Sequence, residues 1–147
     1  MKFDNRTIQL VTTLIISHDI RFRDPAGSGR RHVRRTMHKV GPTLFPYLLD
    51  VMEADVRAQS SYLQGKKLSL LEQTRIVYQE ILDAGDCLCL KDLKINGNHL
   101  KALGIREGKT IGAILNALLS IVLEHPDLNE YVYLEELALK IYATLNN

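Results

Sequence analysis

Residues 100–112 read Leu-Lys-Ala-Leu-Gly-Ile-Arg-Glu-Gly-Lys-Thr-Ile-Gly, and the fold can be worked out from this stretch. It predicts a short helix, a hydrophobic-Gly-hydrophobic turn at Leu103-Gly104-Ile105, and a second helix that opens at Gly108-Lys109. The second helix continues as the apolar run Ile111–Leu123 and stops before Pro126. This part of the chain is therefore a pair of helices joined by a glycine turn.

Helical periodicity extends in both directions from this pair. The predicted helices span residues 5–17, 30–40, 43–62, 69–84, 98–103, 110–124 and 131–145. The first rests on the helical spacing of Ile8, Val11, Leu14 and Ile15. Because the connections are short and strand-like alternation is missing, we predict an all-α fold, a compact bundle of six or seven helices.

Composition limits the class of protein. The 147 residues are 46% hydrophobic and 24% charged, which suits one globular domain, or two small helical subdomains. The apolar run is interrupted by Gly112, Asn116 and Ser120 and is too short to cross a bilayer, and the amino terminus does not look like a signal peptide. We expect no membrane association, a cytoplasmic location, and idle reduced thiols at Cys87 and Cys89.

Charge is distributed unevenly along the chain. The formal net charge is only +2, but residues 21–39 hold seven Arg or Lys and one acid, Asp24. Residues 124–147 hold five acids and a single base, Lys140. A polyanion should therefore meet the amino-terminal half first.

The second predicted helix carries a basic stripe. On a helical wheel Val33, Met37 and Val40 share one face, and the opposite face holds Arg30, Arg31, Arg34, Arg35 and His38. Guanidinium groups match phosphate oxygens in a two-pronged geometry, so the stripe suits a nucleic-acid backbone, although a solvated face has the same pattern.

The glycine turn is a second candidate for phosphate binding, because it resembles a helix-hairpin-helix clamp. Free N–H groups at a helix start attract an anion, Gly108 lets the anion approach, and Lys109 adds charge. A turn whose glycines merely relieve crowding between core helices is an equal alternative. Together the two features give these candidate RNA-binding residues: Arg30, Arg31, Arg34, Arg35, Lys39, Lys101, Arg106, Gly108 and Lys109.

His18-Asp19 and the distant Asp55 are the type of residues that HD phosphohydrolases use to hold divalent ions. Such sites need a further upstream His, and residues 1–17 contain none. A capping or hydrogen-bonded pair is the alternative, and we assign no metal ligand. The sequence also lacks the paired carboxylates of nucleotidyl transfer, a Walker loop and a nucleophile elbow, so we assign no catalytic residue.

Several segments are similar to the carboxy-terminal region of the tRNA nucleotidyltransferase and poly(A) polymerase family, in its HD-bearing branch. The similarity covers about residues 2–128, and its most specific part is Leu90–Ile105, with Gly108 and Gly112 following. The other matching segments are Lys2–Asn5, Ile15–Asp19, Arg34–Gly41 and Glu53–Ser60.

The resemblance implies a helical body and tail that hold tRNA or another structured RNA. It places the end of an HD-like region and the start of the body in residues 1–62, and the rest of the body and tail in residues 63–147. It also implies a partner, a catalytic head that binds Mg²⁺, which this sequence does not contain, so no cofactor is expected here. Asp55 matches the final Asp of the HD motif, whereas His18-Asp19 falls after the motif's missing doublet.

Three functions stay open at this point. The first is an RNA-binding portion of a CCA-adding or poly(A)-adding enzyme, without activity of its own. The second is a partial HD phosphohydrolase that uses His18, Asp19 and Asp55. The third is a helix-hairpin-helix module that binds DNA or a protein.

Overall fold

The structure, a computed structural model, describes residues 2–59, 61–106 and 108–147. Within these ranges it contains seven α-helices and two short 3-10 helices, Leu90–Asp92 and Pro126–Leu128, and no strand, so the all-α prediction is confirmed. The α-helices are Asn5–Ser17 (α1), Arg30–Val40 (α2), Phe45–Ala58 (α3), Gln64–Ala84 (α4), Gly97–Ala102 (α5), Lys109–Glu124 (α6) and Tyr131–Leu145 (α7). Ser60 and Glu107, which belong to segments singled out above, lie outside the described residues. In the described part of the chain, every helix is too short or too polar to span a lipid bilayer.

The chain divides into two compact units, Met1–Ala84 and Gly85–Asn147. The resemblance described above implied a division after residue 62 instead. The difference arises because α4 packs against α2 and α3, and so belongs to the first unit. Gly85, with φ of 67°, then ends α4 at the boundary.

Aromatic packing holds the core of the first unit together. Phe45 at the start of α3 stacks on Tyr78 of α4, with ring centroids 5.4 Å apart, and meets the edge of Phe22 at 5.8 Å. Tyr78 Oη donates a hydrogen bond of 3.0 Å to the carbonyl oxygen of Pro42. Val33 and Met37 of α2 are fully buried. Their burial fixes which side of α2 is turned away from solvent.

A tight loop sets the start of α2. The Asp24 carboxylate accepts hydrogen bonds from the N–H of Ser28 at 2.8 Å and from its hydroxyl at 2.9 Å. These bonds, the backbone one first, lower the pKa of Asp24. A Cβ on Gly29 would lie 2.0 Å from the carbonyl oxygen of Arg23, so only glycine fits there. The glycines predicted as a surface loop thus direct the chain into α2.

The second unit is built around α6, which contacts α5 and α7 and both short 3-10 helices. Ile114, Leu118 and Val122 of α6 are fully buried, as is Leu134 of α7. Asn129 joins the segments that precede and follow α6. Its amide donates to the carbonyl oxygen of Asp92 at 2.9 Å and accepts from the N–H of Lys94 at 3.0 Å.

Candidate nucleic-acid interface

The basic stripe on α2 is narrower than the sequence indicated. Arg34 is only 5% exposed, so its assignment to the solvent-facing stripe was wrong. On α2, the spacing i, i+4 and i+7 aligns Arg30 and Arg34 with the buried Met37. Both arginines therefore lie at the edge of the face that α2 turns toward the core. Arg34 therefore offers little accessible surface to an RNA backbone.

Arg30 has an acidic partner that the neighbouring sequence does not reveal. Its Nη1 lies 2.5 Å from Oε2 of Glu80 on α4, and the Arg30 side chain is 31% exposed. Within residues 21–39 of the sequence, Asp24 is the only acid. A contact between residues 50 positions apart depends on the tertiary fold, so helical periodicity alone does not reveal it.

The outward part of the stripe consists of Arg31, Arg35, His38 and Lys39, all exposed. Arg31, Arg35 and Lys39 recur at i, i+4 and i+8, so they form one line along the helix. Arg31, Arg35 and His38 each take part in an interaction as well, and Arg34 does the same from its buried position. Any ligand on this line would add to those interactions or replace them.

In the second unit, α5 ends in a Schellman motif. The N–H of Gly104 donates to the carbonyl oxygen of Lys101 at 2.9 Å, and the N–H of Ile105 donates to that of Leu100 at 3.1 Å. Gly104 has φ of 84°, a left-handed conformation that favours glycine. Leu100 and Ile105, which are both buried, supply the apolar contact that accompanies this motif. The hydrophobic-Gly-hydrophobic pattern thus has a structural role as a helix C-cap.

Gly108 has a different role in the same turn. It is the N-cap of α6, with φ of 110°, and it has no side chain with which to cap the first turn of that helix. The first N–H groups of an α-helix lack partners within the helix and carry its positive dipole end. Arg106 and Lys109 are exposed on either side of Gly108. The exposed Lys101, from the last turn of α5, takes part in an interaction as well.

Polar side chains fix the approach to this turn. Asn96 Oδ1 accepts from the N–H of His99, and His99 Nδ1 accepts from the N–H of Asn96, each at 3.1 Å, so the pair caps α5 reciprocally. Partial burial raises the pKa of Asp92, but hydrogen bonds from the N–H of Leu88 and from Cys89 outweigh it, and the pKa lies below its usual value. The segment Leu90–Ile105 therefore consists largely of residues that shape the second unit.

The two cysteines are close to Asp92 but differ in environment. Burial raises the pKa of Cys87 to about 12, which keeps this thiol protonated and unreactive at neutral pH. Cys89 is exposed, and its Sγ donates to Asp92 Oδ2 at 3.2 Å. This geometry gives Cys89 a capping role at the start of the short 3-10 helix.

The residues of the HD hypothesis come together only in part. His18 and Asp55 both line a cavity of about 60 Å³ in the first unit, where Phe22 and Met52 supply apolar walls. His18 Nδ1 lies 2.5 Å from the carbonyl oxygen of Ile15, and Asp55 Oδ2 accepts from Gln59 at 2.8 Å. Within residues 2–59, 61–106 and 108–147, no three His, Cys, Asp or Glu side chains are arranged to hold a metal ion.

Comparison of the chain with protein-family models, with curated proteins and with solved structures finds no match.

Proposed function

We propose that the chain binds structured RNA, with tRNA as the expected ligand, and that it is the non-catalytic, RNA-holding portion of a nucleotidyltransferase-like protein. The proposal combines the resemblance of Leu90–Ile105 and the glycines that follow with the basic surfaces of the two units. In the native protein the partner would be a nucleotidyltransferase head that carries Mg²⁺. A cytoplasmic location follows from this role and is part of the proposal.

The observation that carries the proposal is the turn between α5 and α6. Gly108, with φ of 110°, opens a helix of 16 residues without a capping side chain, and the exposed Arg106 and Lys109 lie two residues before it and one residue after it in the sequence. A phosphate at this point would accept hydrogen bonds from backbone N–H groups and gain from two neighbouring cations. The contact would read the backbone and not the bases, which suits recognition of RNA shape.

The exposed line on α2 supports the proposal as a second source of positive potential. Arg31, Arg35 and Lys39 are spaced along about two turns of helix, a distance over which a nucleic-acid strand presents several phosphates. Existing interactions of Arg31 and Arg35 would compete with RNA. We therefore expect Arg31, Arg35 and Lys39 to contribute less RNA-binding free energy per residue than the residues of the turn at Gly108.

The test is the affinity for a tRNA transcript at several salt concentrations, measured by filter binding. For the unaltered chain, log affinity should fall linearly with log salt, by roughly 0.7 to 0.9 for each neutralised phosphate. The Arg106→Glu/Lys109→Glu variant should weaken binding and flatten this slope, and Arg31→Glu/Arg35→Glu should do so to a smaller degree.

The matched control is Lys66→Glu/Lys140→Glu, which makes the same change in net charge at exposed sites, one in each unit. Equal loss of affinity in the control and the test variants would mean that only bulk charge matters, and the assigned sites would then be wrong. Tighter binding to duplex DNA than to tRNA would favour the helix-hairpin-helix alternative.

A further inference from the structure

Arg30 and Glu80 form an ion pair that joins α2 to α4. Nη1 of Arg30 donates a hydrogen bond of 2.5 Å to Oε2 of Glu80. The two helices pack against each other, and Val33 of α2 and Val77 and Ile81 of α4 are almost completely buried. The core therefore holds the backbones of both helices, whereas the ion pair lies where 31% of the Arg30 side chain and 53% of the Glu80 side chain remain exposed.

The exposure of this pair shows that it can be exchanged for another contact. A buried ion pair cannot lose one partner without leaving an uncompensated charge, but an exposed pair contributes little to stability because water and salt screen both charges. The buried apolar residues of α2 and α4 join the two helices independently of the pair. Arg30 could therefore leave Glu80 for a different anion while the first unit stays folded.

A carboxylate and a phosphate compete for the same guanidinium group. Both present charged oxygens that accept hydrogen bonds from the planar donors of arginine. Arg30 is the first residue of α2 and precedes Arg31, where the exposed line of Arg31, Arg35 and Lys39 begins. An RNA strand that follows this line past the start of α2 passes beside Arg30, whose guanidinium is held by Glu80.

The acid nearest to Arg30 in the sequence has a different role. Oδ2 of Asp24 accepts hydrogen bonds from the N–H and the hydroxyl of Ser28, at 2.8 and 2.9 Å, and so stabilises its own loop. The carboxylate on Arg30 comes from α4 instead, through the packing of α4 against α2.

We propose that Glu80 limits RNA binding by the first unit, because its carboxylate occupies Arg30 in place of an RNA phosphate. This inference rests on the proposed function. RNA contacts Arg30 only after the carboxylate is displaced, so the Arg30–phosphate contact is weakened by the free energy of the Arg30–Glu80 pair. Arg30 therefore contributes little to RNA affinity while Glu80 is charged, and it contributes one full phosphate contact once that charge is removed.

Filter binding of a tRNA transcript to the Glu80→Gln variant of the full chain tests the proposal. The amide keeps the size of the side chain and removes its charge. At low salt the affinity should rise about two- to fivefold, the range that corresponds to an exposed ion pair. The slope of log affinity against log salt should steepen by roughly 0.7 to 0.9, which corresponds to one additional phosphate.

The matched control is Glu72→Gln, because Glu72 is an exposed acid of the same helix and the change in net charge is identical. This variant should leave the salt slope unchanged and should raise the affinity less than Glu80→Gln does.

Arg30→Gln shows whether the gain in affinity depends on Arg30. Alone, this substitution should lower the affinity only slightly, since Glu80 already holds the guanidinium. Combined with Glu80→Gln, it should abolish the gain and return the salt slope to that of the unaltered chain. The melting temperatures of all variants, followed by circular dichroism, should differ little because both side chains are exposed.

Two results would overturn the inference while leaving RNA binding in place: equal gains for Glu80→Gln and Glu72→Gln, or additive effects of Glu80→Gln and Arg30→Gln. A lower melting temperature of Glu80→Gln with unchanged affinity would also overturn it, since the pair would then only connect α2 to α4. Absence of tRNA binding by the unaltered chain and by every variant would instead reject the proposed function, and this inference with it.

Discussion

At the scale of single residues, α2 shows that neighbouring arginines of one helix can lie in opposite environments. Arg34 and Arg35 are adjacent in sequence, yet the first is buried and the second is exposed. The helical wheel identified the buried Val33 and Met37 correctly, because apolar periodicity reports the centre of a core face. It misplaced Arg34, because a residue on the flank of that face is covered or exposed according to what packs beside it.

Arg34→Ala should destabilise the fold by about 2 kcal/mol, since it removes a buried side chain and leaves its interaction partners unsatisfied. Arg35→Ala, the matched control one residue away, should change the free energy of unfolding by less than about 0.5 kcal/mol. Urea denaturation followed by circular dichroism measures both. Equal changes in the free energy of unfolding for the two variants would show that the burial of Arg34 does not stabilise the fold.

At the scale of elements, the sequence predicted which segments form helices more accurately than it predicted where each helix begins and ends. The bounds of α1, α2 and α7 agree with the prediction, since Gly41 and other local signals mark them. The third helix was predicted to reach residue 62, but α3 ends at Ala58 and α4 begins early, at Gln64. The amide of Gln64 donates to the carbonyl oxygens of Val56 and Arg57, at 3.1 and 3.2 Å. This capping interaction joins two helices and has no signature in local propensity.

Gly104 and Gly112 allow a paired test of the turn that joins α5 and α6. A Cβ at either position would meet nothing within 4 Å, so the two glycines differ in backbone conformation alone. Gly104→Ala should cost about 1 kcal/mol because Gly104 is left-handed, at φ of 84°. Gly112→Ala, inside α6, should instead stabilise by about 0.5 to 1 kcal/mol. Opposite shifts in the urea midpoint are expected, and shifts of the same sign would contradict the conformational explanation.

At the scale of the whole molecule, the fold class was accessible from sequence and the division into units was not. Apolar spacing and glycine turns predict the helices. They do not predict which unit contains α4, because that depends on the packing of α4 against α2 and α3. The same limit applies to the candidate site. The exposure of Arg106 and Lys109 can be predicted from the local sequence pattern. The contact of Arg30 with Glu80 cannot, because it depends on the tertiary structure.

The purified full chain should add no CMP or AMP to tRNA, with Mg²⁺ and nucleotides supplied. The physical reason is that the sequence has no pair of carboxylates in a Gly-Ser context to hold two metal ions for nucleotidyl transfer. Incorporation of radiolabelled nucleotide is the measurement, with an active nucleotidyltransferase as the positive control. Incorporation above the level without protein, retained through repeated purification, would show that the chain carries a catalytic centre of its own.

The stack of Tyr78 on Phe45 also gives the first unit an optical signal. The chain has six tyrosines and no tryptophan, so its near-ultraviolet circular dichroism comes largely from tyrosine. Tyr78 is held by the Phe45 ring and by its hydrogen bond to Pro42, and a ring fixed in an asymmetric environment gives a strong band that disappears when the packing loosens. Loss of this band on heating, compared with loss of the far-ultraviolet helical signal, reports whether aromatic packing around α3 and α4 melts before the helices do.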